Sequence, residues 1–123
     1  MEYNFWVNQQ GRSPVLEDLK VVSSADANSG KAYWLQLSKV RKYSYPQMAG
    51  KLIKKLKGEN PYKIFELRFS LPRKIARTFC VIGRDSTLWL LHLVIKKKDG
   101  TKHSDIRVAE ERAGILERAI HYL

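Results

Sequence analysis

The fold is decided by the stretch YKIFELRFSLPRKIARTFCVIGRDSTLWLLHLVI, residues 62–95. From Tyr62 the residues alternate, with Ile64, Glu66 and Arg68 on one face and Phe65, Leu67 and Phe69 on the other, the period of a β-strand. Pro72 ends this strand in a basic turn with Arg73 and Lys74. A second strand is predicted over Ile75 to Ile82, and Gly83-Arg84-Asp85-Ser86 reads as a hairpin loop. The third strand, Thr87 to Ile95, is apolar on both faces except at His92, which marks it as central in the sheet. Three antiparallel strands in a row therefore form the heart of the molecule.

Working outward, Gly100 closes a charged turn, and Asp105 to Leu123 carries Ile106, Ala109, Ala113, Leu116 and Ile120 on one helical stripe. On the other side, Leu52 to Lys57 suits either a short helix or an extended arm. Pro46 and Gly50 break the chain between Tyr43 and Gly50. Lys31 to Lys42 places Tyr33, Trp34, Leu37 and Val40 at helical spacing, with a polar turn expected over Ser24 to Gly30. Ser13-Pro14 is a helix start, with Val15, Leu16, Leu19 and Val22 as its apolar face. Tyr3 to Val7 reads as a first strand. The expected architecture is α+β: a small antiparallel sheet, mixed at its edge, with N-terminal helices packed on one face and a C-terminal helix. The 123 residues fit one domain, 1–123.

Composition narrows the function. The chain has 44% hydrophobic and 28% charged residues, a globular balance, yet a formal net charge of +11. Such a surface attracts phosphate polymers and gains free energy by releasing their counterions. Lys51, Lys54, Lys55, Lys57, Lys63, Arg68, Arg73, Lys74 and Arg77 face only Glu59 and Glu66 in the same span, and Lys96, Lys97, Lys98 and Lys102 form a second cluster. The competing explanation is a merely solubilised surface or the docking of an acidic partner. Apolar runs such as Leu88 to Ile95 are too short to span a bilayer, so no membrane is expected. Glu2, Glu17 and Asp18 argue against a secretory leader. Cys80 is alone, which excludes an internal disulfide and a cysteine-based zinc cluster. A reducing cytoplasm is the simple expectation.

Several short motifs, in order, carry a family resemblance. Ile64-Phe65-Glu66-Leu67-Arg68-Phe69, Ile75-Ala76-Arg77-Thr78-Phe79, Leu90-Leu91-His92 and Lys96-Lys97-Lys98 resemble the "y-E-L-R", "R-I-x-y/f", "v-L-L-H-x-F" and "K-K-x-x-K-T-P" elements of HigB/RelE-type toxins, in their phage-derived branch. Gly11-Arg12-Ser13-Pro14-Val15 resembles that branch's "G-x-S-P-V" helix start, and Leu52 to Lys57 its basic arm, which favours the extended form there. Only Thr101 remains of the "K-T-P" portion. The resemblance implies a RelE-like fold and the toxin of a type II toxin–antitoxin system, an endoribonuclease cleaving mRNA, with the ribosomal A site as a candidate setting. It also implies an antitoxin partner, often of helix-turn-helix type, that covers the basic face and binds operator DNA.

Metal-independent RNA cleavage uses the ribose 2′-hydroxyl as nucleophile, with a base, cations for the phosphate and an acid for the leaving oxygen. No cofactor is expected. Arg68, at the arginine of the "E-L-R" strand, is assigned to phosphate. Arg77 interrupts an apolar strand, where a guanidinium is costly unless paired or facing a polar cleft, and is the first candidate for transition-state stabilisation. Glu66 is read as orienting one of these arginines. Alternation puts His92 on the same face as Lys96; an imidazole ordinarily titrates near neutrality and can serve as base or acid, or it can be a satisfied core residue. Lys96 and Lys97 are candidates for phosphate contact or proton transfer. Lys54, Lys55, Lys57, Lys63, Arg73, Lys74, Lys98 and Lys102 are expected to steer and hold RNA. Trp34 and Trp89 are expected in the core, His103 and His121 on the surface, and Tyr43 and Tyr45 as candidate base-stacking groups. The alternative function is a non-catalytic basic nucleic-acid-binding module of the same fold.

Overall fold

A computed structural model describes residues 1–56, 61–96 and 101–120, the side chain of Ile120 excepted. The expected three-stranded heart is present. Strands β3 (Phe65–Leu71), β4 (Lys74–Ile82) and β5 (Leu88–Lys96) pair antiparallel in sequence order, following β1 (Tyr3–Phe5), α1 (Pro14–Ala25), α2 (Ala27–Val40), α3 (Tyr45–Met48) and β2 (Ile53–Lys55), and preceding α4 (His103–Ile120). The five-stranded sheet runs β1-β5-β4-β3-β2, with β1 parallel to β5, so the sheet is mixed at one edge as expected. β5 is interior, although the middle position belongs to β4. The arm at Leu52 is extended, pairing Ile53 with Leu67.

Local chemistry explains these elements. Leu71 faces Lys74, so Pro72 and Arg73 form a two-residue turn; proline suits its first position, and Arg73 takes φ 62° at the second. Ser13 caps α1, accepting from the Leu16 amide, with Pro14 at the first helical position. The turn expected over Ser24–Gly30 shrinks to one residue. Asp26 ends α1 and caps α2 by accepting from the amides of Asn28 and Ser29 and the hydroxyl of Ser29, and these bonds hold its carboxyl below the usual range. The break at Pro46 contains a single helical turn, because proline is tolerated at a helix start and Ser44 with Gln47 forms a capping box.

The sheet is packed on both faces. Helices α1 and α2 place Val15, Leu19, Tyr33, Leu37 and Val40 on Leu67, Phe69, Ala76, Cys80, Leu88 and Leu90. Helix α4 places Ala109, Ala113 and Leu116 on Ile64, Phe79, Val81 and Leu91, with Trp6 beside them. Trp34, expected inside, is 41% exposed, because Tyr33, Leu37 and Val40 occupy the buried stripe. Trp89 is half-buried beside the α4 layer. Among the described residues no helix is long and apolar enough to cross a membrane.

A register shift interrupts the pairing of β4 with β5. Phe79 faces His92, but Cys80 faces Leu90, leaving Leu91 as an extra residue in β5. Leu91 and His92 consequently both lie on the α4 side. Arg112 of α4 donates to the Leu91 carbonyl at 2.7 Å and lies 5.3 Å from the Trp6 ring centroid. Burial pulls the Arg112 pKa below its ordinary value.

Leu37→Ala removes a fully buried side chain and is expected to lower unfolding free energy by about 2–5 kcal/mol in urea titration. Alkali should destabilise the fold as well. Burial raises the Tyr33 phenol, which shares a 2.6 Å hydrogen bond with Thr78, and the Cys80 thiol. Both stay neutral in the folded chain while the unfolded chain ionises them. Their contribution to stability is complete below the ordinary thiol range and declines as pH rises through the ordinary phenol range and beyond. Urea midpoints should fall across that window, less steeply in Cys80→Ala.

Candidate functional site

Residues facing each other across paired strands share a sheet face, as do alternate residues along one strand. On the α4 face this produces three rows. The first is Lys54, Glu66, Phe79 and His92; the second Arg68, Arg77 and Val94; the third Ser70, Ile75 and Lys96. Four strands thus bring Lys54, Arg68, Arg77, His92 and Lys96 onto one face in adjoining rows. Two carboxylates lie among them. Glu66 belongs to the floor, and Asp105 comes from the first turn of α4.

Arg77 is 8% exposed and Glu66 3%, and Arg77 Nη1 donates to Glu66 Oε1 at 2.6 Å. Thr101, just ahead of α4, donates its hydroxyl to the other oxygen, Oε2, at 2.5 Å. Glu66 therefore orients Arg77, and both its oxygens are occupied. Arg77 Nε is buried without a hydrogen-bond partner among the described residues, an unmet donor whose desolvation costs stability. Its cross-strand neighbour Arg68 is exposed and has no ion-pair partner among the described residues. Two cross-strand guanidiniums, of which only Arg77 has a carboxylate partner, are an arrangement whose chemistry suits a phosphate.

The second carboxylate organises the far side. His92 Nε2 lies 3.0 Å from Asp105 Oδ1, and Lys96 Nζ lies 3.9 Å from Asp105 Oδ2. The His92 ring is stacked on Phe79, with centroids 5.8 Å apart and an interplanar angle of 26°. His92 and Lys96 thus share a face as their alternation predicts, with Leu91 as the bulge residue just before the histidine.

Other expected binding residues do not join this face. Lys74 lies opposite Leu71 on the α1–α2 face, 3.8 Å from Asp26, where it serves the helix corner. Lys55 lies opposite Phe65, whose side belongs to the α1–α2 layer. Lys63 precedes the other end of β3 and lines an open cleft of about 420 Å³ with Tyr62 and Glu117. Arg73 is exposed at the β3–β4 turn. Lys102 is exposed, and its carbonyl accepts from the amides of Asp105 and Ile106. Lys57, Lys97, Lys98 and His121 lie outside the described residues. His103 is exposed at the first position of α4; Tyr43 is exposed, and Tyr45 packs edge-on against Phe65.

Asp105 and the contact made by Thr101 were not legible as site features. Asp105 reads as an ordinary first-turn acid, and Thr101 as the remnant of a turn motif; which strand residues they meet depends on how α4 lies on the sheet.

These features define a class: a small α+β protein whose sheet carries an anion-receptive, cationic face beside the start of its last helix. The family model described as Phage derived protein Gp49-like (DUF891) matches residues 20–114, from within α1 to within α4, and the chain belongs to that family. No curated protein and no solved structure matches it.

Removing one partner of a buried ion pair leaves the other charge stranded. Glu66→Ala should lower unfolding free energy by about 3–5 kcal/mol, and the double variant Glu66→Leu/Arg77→Met should recover most of that loss in urea titration. Equal losses in the single and double variants would show that the pair itself is not the origin of the effect.

Proposed function

We propose that this protein is the toxin of a type II toxin–antitoxin system and acts as a metal-independent endoribonuclease on mRNA, of the HigB/RelE type. The observation that carries this reading is the convergence of Arg68, Arg77 and Lys96 from three strands on one face beside His92. Membership of the Gp49-like family, a toxin-like family of such systems, supports it.

In this reading the scissile phosphate lies across Arg68 and Arg77, with Lys96 at its far side. The 2′-oxygen attacks phosphorus after giving up its proton, and the bond from phosphorus to the 5′-oxygen breaks. The products are a 2′,3′-cyclic phosphate and a 5′-hydroxyl. The arginines stabilise the added charge on the phosphoryl oxygens, and Arg77, held by Glu66, is in place before substrate arrives. Lys54 extends the cationic path along the first row, while Arg73 and Lys102 act through the wider positive field. The antitoxin, of helix-turn-helix type, neutralises the protein by covering this face, and operator DNA is met through that complex. The site of action is the cytoplasm, on or off the ribosome.

Induced expression in bacteria with RNA ends mapped is the direct test, followed by purified protein and mRNA with and without ribosomes. Growth arrest and new 5′-hydroxyl ends are expected. Arg68→Ala, at an exposed position, should keep the thermal unfolding midpoint and slow cleavage by about 10²–10³-fold. RNA binding with no new ends in any of these settings leaves only the second reading, a basic nucleic-acid-binding module; it is favoured by the fact that His92, Arg77 and Lys96 each already have a carboxylate partner.

A further inference from the structure

We infer that Asp105 is a positioning residue for His92, fixing the ring tautomer in which Nε2 carries the proton and Nδ1 is the free base that accepts the 2′-hydroxyl proton. This role rests on the ribonuclease reading and names the group that moves the proton within it.

An ionised carboxylate only accepts hydrogen bonds, so a 3.0 Å contact between Asp105 Oδ1 and His92 Nε2 requires the proton on Nε2. In a neutral ring Nδ1 then holds the lone pair. Nδ1 makes no hydrogen bond among the described residues, and it is not among the buried unpartnered atoms. The ring has little freedom, held by Phe79 beneath it and Asp105 at its edge. Such second partners commonly set the tautomer and orientation of a working histidine.

The neighbouring charged groups leave His92 as the base. Asp105 of α4 is shared between His92 and Lys96 of β5. Glu66 of β3 is in the same row but has one oxygen on Arg77 of β4 and the other on Thr101, and is only 3% exposed. A carboxylate so engaged and so deeply buried is poorly placed to take a proton from substrate. Nδ1 therefore takes the 2′-hydroxyl proton as the oxygen–phosphorus bond forms. The 5′-oxygen leaves with the bonding pair and takes a proton from water, and the imidazolium returns its own to solvent. Atoms and charge balance without an oxidant or reductant.

Side-chain ¹⁵N NMR of the histidines reads the tautomer directly, at a pH where the ring is neutral, in wild type and in the isosteric Asp105→Asn. Wild-type His92 should show a protonated Nε2 and an unprotonated Nδ1. Asp105→Asn should populate the other tautomer, because an amide can donate as well as accept. In the same variant, kcat for RNA cleavage should fall about 10²-fold with KM kept within about twofold. His92→Gln should lose at least as much while its thermal unfolding midpoint is retained. A protonated Nδ1 in wild type overturns the proposal, as does Asp105→Asn with tautomer and kcat unchanged. If no RNA is cleaved while Nε2 is protonated, the base role falls with the ribonuclease reading, and the NMR signal shows that the failure lies there and not in the Asp105–His92 contact.

Discussion

A guanidinium held between a sheet and a helix must be neutralised where it sits, and Arg77 makes this the governing constraint of the molecule. The charge lies on the central strand, one row from the apolar cluster under α4, and is almost completely sealed from water. A buried unpaired charge would cost several kcal/mol, far more than a single contact returns. Glu66 supplies the counter-charge from the adjacent strand, one row along. Thr101 then ties the segment leading into α4 to the other carboxylate oxygen. One ion pair thereby links two strands of the sheet to the start of the last helix.

The two faces of the sheet are used differently because of this. On the α1–α2 face, the inward positions of β3, β4 and β5 are apolar, apart from the Thr78 hydroxyl paired with Tyr33 and Lys74 at the start of β4, paired with Asp26. On the α4 face, the fully buried apolar set ends at Phe79 and Leu91, and beyond it the rows mix charged and polar residues with Val94 and Ile75. The bulge at Leu91 lets β5 serve both needs, since two successive residues face α4. Leucine fills the core, and histidine stands at the boundary where core gives way to charge. Bulges that re-aim a side chain next to a functional site are a recurring use of one extra residue.

Much of this was readable from residues 62–95. Alternation places Arg68 with Glu66 and His92 with Lys96, and an arginine inside an apolar strand identifies Arg77 as a residue that needs a partner. Periodicity works there because a strand has only two faces. It failed where the outcome depended on how separate elements meet. Trp34 and Tyr33 both fit a helical stripe, and only the packing of α1 and α2 selects the tyrosine. Lys74 looks like one more member of a basic cluster, yet the two-residue turn places it opposite Leu71, on the other face. Asp26 compressed the expected turn because one carboxylate satisfies two amides and a hydroxyl. Asp105 lies 13 residues from His92, and no local pattern records their meeting.

The distribution of charge also separates attraction from chemistry. The net charge of +11 comes almost entirely from two stretches, Lys51 to Arg77 and Lys96 to Lys102, but many side chains share it, so the long-range pull on a phosphate polymer does not depend on any one of them. The inner face is different. Lys54, Arg68, Arg77 and Lys96 stand against Glu66 and Asp105, so only a modest positive excess remains there. The carboxylates hold Arg77 and Lys96 in place, and Asp105 holds His92 as well; an incoming phosphate meets groups already arranged and need not order flexible lysines. Preorganised charge of this kind favours a transition state over a ground state, because the groups need not move when the phosphate gains charge. Arg68, without a carboxylate of its own, is the cation most free to greet the substrate, whereas Arg77, fixed beside it, is better suited to the charge that develops later.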